Sequence, residues 1–228
     1  MTELATPVAT YPRPPWSIID DVRTGIAEAF AEILRFYVPP PALVLDPTAG
    51  PRRMYKRLED RTLDGFDYEF VFADVKSQLT PNPHIRLDVR KLPFRDGVFN
   101  AIVFDPPFLE EWQEGWGDPR HEDYAYTGWM KEDIYSLIVY ANSEFARVLK
   151  PSGRLILKIQ DQWINGIFYP HSDRAIALLW NFQLYDKILY RYHTSSAPLQ
   201  RARYKYRRHA FITHSYHLVF TKLGGSAS

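Results

Sequence analysis

Leu43-Val44-Leu45-Asp46-Pro47-Thr48-Ala49-Gly50 is the stretch from which the rest of the chain is read. An apolar run enters an aspartate, a turn and a glycine, and a helix-like stretch follows. That pattern marks a buried strand whose end brings the backbone close to a ligand in an open α/β sheet. It repeats along the chain. Short apolar runs at Phe70 to Ala73, Ile85 to Leu87 and Ala101 to Phe104 each end in an aspartate, at Asp74, Asp88 and Asp105, and a further run spans Leu155 to Ile159. Acidic residues at the carboxyl ends of successive strands line the crevice where such sheets bind ligands.

Helical spacing separates these runs. Ile19, Val22, Ile26, Phe30, Ile33 and Tyr37 form one apolar stripe, which predicts a helix over Ser17 to Val38 with Ser17 as N-cap and Pro39-Pro40-Pro41 as its stop. Ile134, Leu137, Ile138, Ala141, Phe145 and Leu149 predict a second over Asp133 to Leu149, broken by Pro151-Ser152-Gly153. A third is expected near Asp173 to Trp180. Phe182 to Tyr192 and Ser215 to Thr221 read as strands that pair as a hairpin across the 22 residues between them. Alternation of strand and helix favours a largely parallel sheet.

The chain has 228 residues, 46% of them hydrophobic, which fits one domain with a sizeable core. It has no cysteine, so disulfides, thiolate metal sites and thiol catalysis are excluded. His209, His214 and His217 lie close in sequence but follow no zinc-site spacing, and no metal is expected. With no signal-peptide core and no apolar run of membrane length, the expectation is a soluble, cytoplasmic protein without a membrane partner. The net charge of +1 hides an asymmetry: Lys187 to Ser228 carries eight basic and no acidic residues, and the remainder carries 20 basic against 27 acidic. The basic end is a candidate contact for a polyanion.

Asp105-Pro106-Pro107-Phe108 follows the fourth aspartate-ended run and offers a carboxylate, a carbonyl from a residue without an N–H, and an aromatic face. An aryl NH2 is a poor nucleophile because its lone pair is delocalised into the ring. Two acceptors, the Asp105 carboxylate and the Pro106 carbonyl, would each take one N–H and turn the lone pair out of the ring plane. Pro107 biases Pro106 towards an extended conformation and so aims that carbonyl. Phe108 would stack on a base, a contact worth on the order of 1–3 kcal/mol.

These two motifs and their order resemble the class I S-adenosylmethionine-dependent methyltransferases over roughly residues 15 to 222. Asp105 to Phe108 is similar to the acceptor motif of those that methylate exocyclic amines of bases, the N6-adenine and N4-cytosine enzymes of prokaryotes and phages. The resemblance implies a Rossmann-like α/β fold with a seven-stranded, mostly parallel sheet and an antiparallel C-terminal hairpin. It implies that S-adenosylmethionine is bound by Asp46, Pro47, Thr48, Ala49 and Gly50, by Asp74 and Val75 at the ribose, and by Asp88 and Val89 at the adenine. The family's usual second glycine is missing, and Pro51-Arg52-Arg53-Met54 stands in its place. Arg52 or Arg53 is expected to pair with the cofactor carboxylate, Arg53 being the preferred choice. The implied reaction is methylation of a base amine in DNA or RNA, adenine N6 before cytosine N4.

The implied layout is a single methyltransferase domain over 1–222, with an N-terminal arm at 1–15, a lid-like insertion at 109–132, a basic loop or hairpin at 191–213 and a tail at 223–228. The insertion contains Trp112, Trp116, Tyr124, Tyr126 and Trp129 and is acidic, which would repel a phosphate backbone and suit a basic peptide. The segment Arg201-Ala202-Arg203-Tyr204-Lys205-Tyr206-Arg207 argues the other way. If extended, it places Arg201, Arg203, Lys205 and Arg207 on one face and Tyr204 and Tyr206 on the other, as single-strand binding requires. A protein Lys or Gln methyltransferase and a non-catalytic nucleic-acid-binding relative remain open alternatives.

Overall fold

The computed structural model describes residues 18–20, 25–59, 68–75, 81, 83–106, 134–164, 167–191 and 212–224. Eight strands form one sheet in the order β1-β9-β10-β6-β5-β2-β3-β4. They are β1 (Ile18–Asp20), β2 (Ala42–Asp46), β3 (Tyr68–Asp74), β4 (Ile85–Arg86), β5 (Phe99–Phe104), β6 (Leu149–Ile159), β9 (Phe182–Arg191) and β10 (His214–Lys222). A separate small hairpin joins β7 (Gln162–Ile164) to β8 (Ile167–Tyr169). Of the eight, β10 alone runs against its neighbours, pairing antiparallel with both β6 and β9. The remaining pairings are parallel. This is a Rossmann-like α/β arrangement, a mostly parallel sheet with the expected antiparallel C-terminal hairpin.

Two helical layers cover the sheet. Helix α1 (Ile26–Tyr37), a 3-10 turn (Arg53–Tyr55) and the short α2 (Lys56–Glu59) lie on one face. Phe30, Ile33 and Leu34 of α1 pack there with Val44, Ala101, Val103, Ile156 and Val219. On the other face α3 (Ile134–Val148) and α4 (His171–Leu178) bury Leu137, Ile138, Phe145 and Ala175 against Leu45, Ile102, Phe104, Leu155 and Leu157. Alternation along each strand therefore sorts its side chains between two apolar layers.

The structure corrects three expectations. The sheet has eight strands rather than seven, because Ile18–Asp20 is a strand and the helix starts only at Ile26. Ile19 belongs to an alternating pair, 6% exposed beside Ile18 at 59%, and its β-branched neighbours suit pairing with β9 at the sheet edge. The N-cap of α1 is Gly25, which makes no side-chain capping bond, and Ser17 lies outside the described residues. Finally, β6 begins at Leu149 rather than at Leu155. The helix ends at Val148, and Pro151-Ser152-Gly153 forms an irregularity inside the strand, where the pairing with β5 shifts register between Phe99 and Ala101. Ser152 takes a φ of 60° there.

One side chain ties the approach to β5 onto α3. Arg147 donates to the carbonyls of Phe94 and Leu92 at 2.7 and 3.0 Å, to Asp96 at 2.9 Å, and to both oxygens of Glu144 at 2.8 and 2.7 Å. Glu144 in turn accepts the Leu92 N–H at 2.7 Å. The Arg147 hydrogen bonds hold the Glu144 carboxyl below its ordinary pKa. Arg147→Ala should therefore cost more than a surface ion pair does, about 1–2 kcal/mol, read as a shift of the urea midpoint.

Candidate functional site

The chain runs outward from β2 through β3 to β4, then returns to place β5 on the opposite side of β2. That reversal is the switch point at which open α/β sheets leave a crevice, and its two carboxyl ends carry Asp46 and Asp105. By alternation, Asp46, Asp74, Asp105, Lys158 and His217 all fall on the α1 face of the sheet.

The loop after β2 is pinned at every residue that the resemblance singled out beyond Pro47. Asp46 is fully buried, and its Oδ1 accepts the Thr48 backbone N–H at 2.8 Å and the Thr48 hydroxyl at 3.2 Å. Its Oδ2 accepts the Tyr55 hydroxyl at 2.6 Å. Ala49 donates its N–H to the Ala73 carbonyl, and Gly50 donates its own to Asp74 Oδ2 at 3.1 Å. Gly50 has a φ of 48°, and a Cβ built there would meet nothing closer than 3.9 Å. The loop thus presents an open backbone face beside the Asp74 carboxylate.

Burial pushes the Asp46 carboxyl up to about 7, against the opposing bonds from Tyr55 and Thr48, and the nearby Asp105 charge raises it further. A folded-state pKa above the unfolded one means that the native state binds the proton more readily, so this group's cost is present above pH 7 and is relieved as pH falls towards 4. Tyr55 matters most where Asp46 is charged. Tyr55→Phe should lose about 1–3 kcal/mol of stability at pH 8 and distinctly less at pH 5.5. Equal losses in urea unfolding at the two pH values would contradict that assignment.

Thr48 joins the two motifs. The hydroxyl that donates to Asp46 also accepts the Asp105 backbone N–H at 3.0 Å. Asp105 itself is partly exposed, and its Oδ2 accepts from Lys158 Nζ at 2.7 Å. Oδ1 carries no hydrogen bond among the described residues. Pro106 is buried beside it, while Pro107 and Phe108 lie outside the described residues. Behind Lys158, His217 is its partner in the β6–β10 register. His217 is fully buried between Phe30 and Tyr190, with neither ring nitrogen bonded among the described residues. Burial, reinforced by the Lys158 charge, pulls its pKa down to about 3, so the ring is neutral.

The other expected ligand residues are placed less uniformly. Asp74 and Val75 stand at the end of β3, both partly buried. Asp88 is engaged by Arg90, whose backbone N–H, Nε and Nη2 all reach its carboxylate. Burial raises the Asp88 pKa, but these bonds outweigh it and leave it below the ordinary value. Val89 is wholly buried with Leu87 and Leu92 in the core. The Arg52 guanidinium sits 4.2 Å from the Phe72 ring centroid, whereas Arg53 is exposed. Arg201, Arg203, Tyr204, Lys205, Tyr206 and Arg207 lie outside the described residues, as do the 109–132 insertion and the 1–15 arm.

Sequence reasoning missed Tyr55 and Lys158 and weighed His217 only as a metal ligand. A lone lysine and a lone histidine inside the apolar runs Leu155 to Ile159 and Tyr216 to Phe220 were the available signal. A cleft of about 280 Å³ lies at the amino-terminal end of the strands, lined by Tyr37, Asn100, Lys150 and Arg154 among others, and shares no residue with this cluster. Among the described residues no group of His, Asp or Glu is placed to hold a metal, and no helix is long and apolar enough to cross a membrane.

Solved structures place this architecture. The chain superposes on TrmN from Thermus thermophilus with a TM-score of 0.52 and 17% identity over 86% of its length. It superposes on an S-adenosylmethionine-dependent methyltransferase from Methanosarcina mazei with a TM-score of 0.53 and 13% identity, covering 84% of this chain and 97% of that one. The fold is that of the methyltransferases. A third match is the Burkholderia thailandensis 1,6-didemethyltoxoflavin-N1-methyltransferase, solved with its acceptor and S-adenosylhomocysteine, at a TM-score of 0.51 and 13% identity over 88% of this chain and 80% of that one. The chain spans about half the length of TrmN, 49%. No family model and no curated protein matches it. The Asp46–Gly50 loop and Asp74 lie at the carboxyl ends of β2 and β3, on the crevice side of the sheet.

Proposed function

We propose that the chain transfers a methyl group from S-adenosylmethionine to an exocyclic amine of a DNA or RNA base, adenine N6 in preference to cytosine N4. The observation that carries this reading is the Asp105 carboxylate: one oxygen is held by Lys158, the other accepts no hydrogen bond among the described residues, and its backbone is fastened through Thr48 to the Asp46–Gly50 loop. A hydrogen-bond acceptor is thereby fixed beside the loop that would hold the donor.

When bound, S-adenosylmethionine supplies an electrophilic methyl group. Gly50 leaves room for its amino-acid portion, and Asp74 offers acceptors to its ribose hydroxyls. Asp105 Oδ1 accepts one N–H of the incoming amine, and the Pro106 carbonyl takes the second, so the nitrogen lone pair turns towards the methyl group. Methylation would form the N–C bond at the expense of the donor's S–C bond, and Asp105 would accept the proton that the nitrogen sheds and pass it to water. In a duplex the base must first leave the stack, unless the substrate is single-stranded.

The test is transfer of labelled methyl into total RNA, genomic DNA and protein in parallel, followed by nucleoside mass analysis, with an Asp105→Ala control. N6-methyladenosine or its deoxy form, dependent on Asp105, is the expected result. Label confined to protein would overturn the base-amine reading and favour a basic peptide facing the acidic 109–132 segment.

A further inference from the structure

Lys158 sits where an acceptor selects its own charge. Its Nζ lies 2.7 Å from Asp105 Oδ2, and the two side chains are 18% and 24% exposed, so the pair is partly shielded from water. Across the β6–β10 pairing, the residue that faces it is His217, buried and neutral. An incoming nitrogen bonded to Asp105 Oδ1 at about 3 Å would stand within about 4–6 Å of the lysine ammonium.

We propose that Lys158 is a specificity-determining residue that admits a neutral, planar NH2 to Asp105 and rejects an alkylammonium. The inference rests on the reading of Asp105 as the acceptor-binding carboxylate. A base amine or an amide is uncharged and brings only N–H donors, so it meets no opposing charge. A lysine-type acceptor enters either as the cation, against Lys158, or as the free amine. With an ordinary pKa of about 10.4, the free amine makes up less than about one part in 10³ at pH 7. Repulsion between two cations at this separation, with the screening usual for a half-buried site, corresponds to a loss of affinity on the order of a hundredfold.

The probes are n-butylammonium, with n-butanol as its uncharged counterpart, and adenosine. Binding of each to the full chain is measured at pH 7 by ligand-observed NMR for wild type, Lys158→Met and Lys158→Arg, with thermal melting to verify folding. Lys158→Met should bind n-butylammonium at least tenfold more tightly than wild type with n-butanol unchanged, and Lys158→Arg should behave as wild type. Lys158→Gln serves the same purpose if methionine disturbs the strand. Equal n-butylammonium affinity in wild type and Lys158→Met, or an arginine variant that matches the methionine one, would overturn the proposal. Failure of every form to bind adenosine, with the n-butylammonium contrast intact, would sink the base-amine reading and still support the charge filter.

Discussion

Asp105→Ala is expected to lower methyl transfer at least about 10³-fold while leaving donor affinity within about twofold. The separation of the two effects follows from which atoms do what. The backbone N–H of residue 105, not its carboxylate, holds the Thr48 hydroxyl. Alanine keeps that bond, so the loop from Asp46 to Gly50 retains its anchor. What disappears is the acceptor that would orient the amine. Asp105→Asn retains the shape but replaces one acceptor oxygen by a donor, and it should fall nearly as far. The measurement is single-turnover transfer from labelled S-adenosylmethionine, with donor binding followed by calorimetry. Transfer by Asp105→Ala within tenfold of wild type would remove Asp105 from the chemistry.

Gly50→Val should act on the donor instead, weakening S-adenosylmethionine binding by about a hundredfold or more. Gly50 has a φ of 48°, a conformation that costs an L-residue roughly 1–2 kcal/mol and a β-branched one more. Its N–H is also the donor to Asp74, so relaxing the strain moves the backbone away from the carboxylate that would receive the ribose. The side chain adds bulk on the one face of the loop that is open. Calorimetry checks the loss, and the melting temperature should fall only modestly because no core contact is broken. Donor affinity within about threefold of wild type would show that this loop is not where the donor lies.

Much of the architecture was legible because β2, β3 and β5 are short apolar runs closed by an aspartate. Leu43 to Leu45, Phe70 to Ala73 and Ala101 to Phe104 all fall inside β2, β3 and β5. The terminal hairpin was legible for a similar reason, and pairing runs from His214 with Arg191 to Lys222 with Phe182. The start of α1 was not. Ile19 fits a helical stripe and a strand edge equally well, and only the position of β9 decides between them. The β7–β8 hairpin is too short for periodicity to reveal.

At the site, Asp46 and Asp105 announce themselves by position at strand ends, whereas their partners do not. Lys158 reaches Asp105 across neighbouring strands, and that contact depends on a register that includes an irregularity near Gly153. Tyr55 reaches Asp46 only because a 3-10 turn folds it back beneath the loop. Val89 shows a second limit of reading a site from the linear sequence. Its neighbour Asp88 is partly buried, yet the next side chain turns into the core, so adjacency in sequence says little about shared exposure.

The Thr48 hydroxyl has a consequence for how the two substrates would influence one another. A single oxygen bonds both to the buried carboxylate under one loop and to the main chain that opens the other. If a ligand on one side shifts that oxygen so as to change the affinity on the other by some factor, the second ligand must change the affinity of the first by the same factor, because linkage between two binding equilibria is reciprocal. Such coupling would pass through one rotatable bond and would need no movement of a domain or a helix.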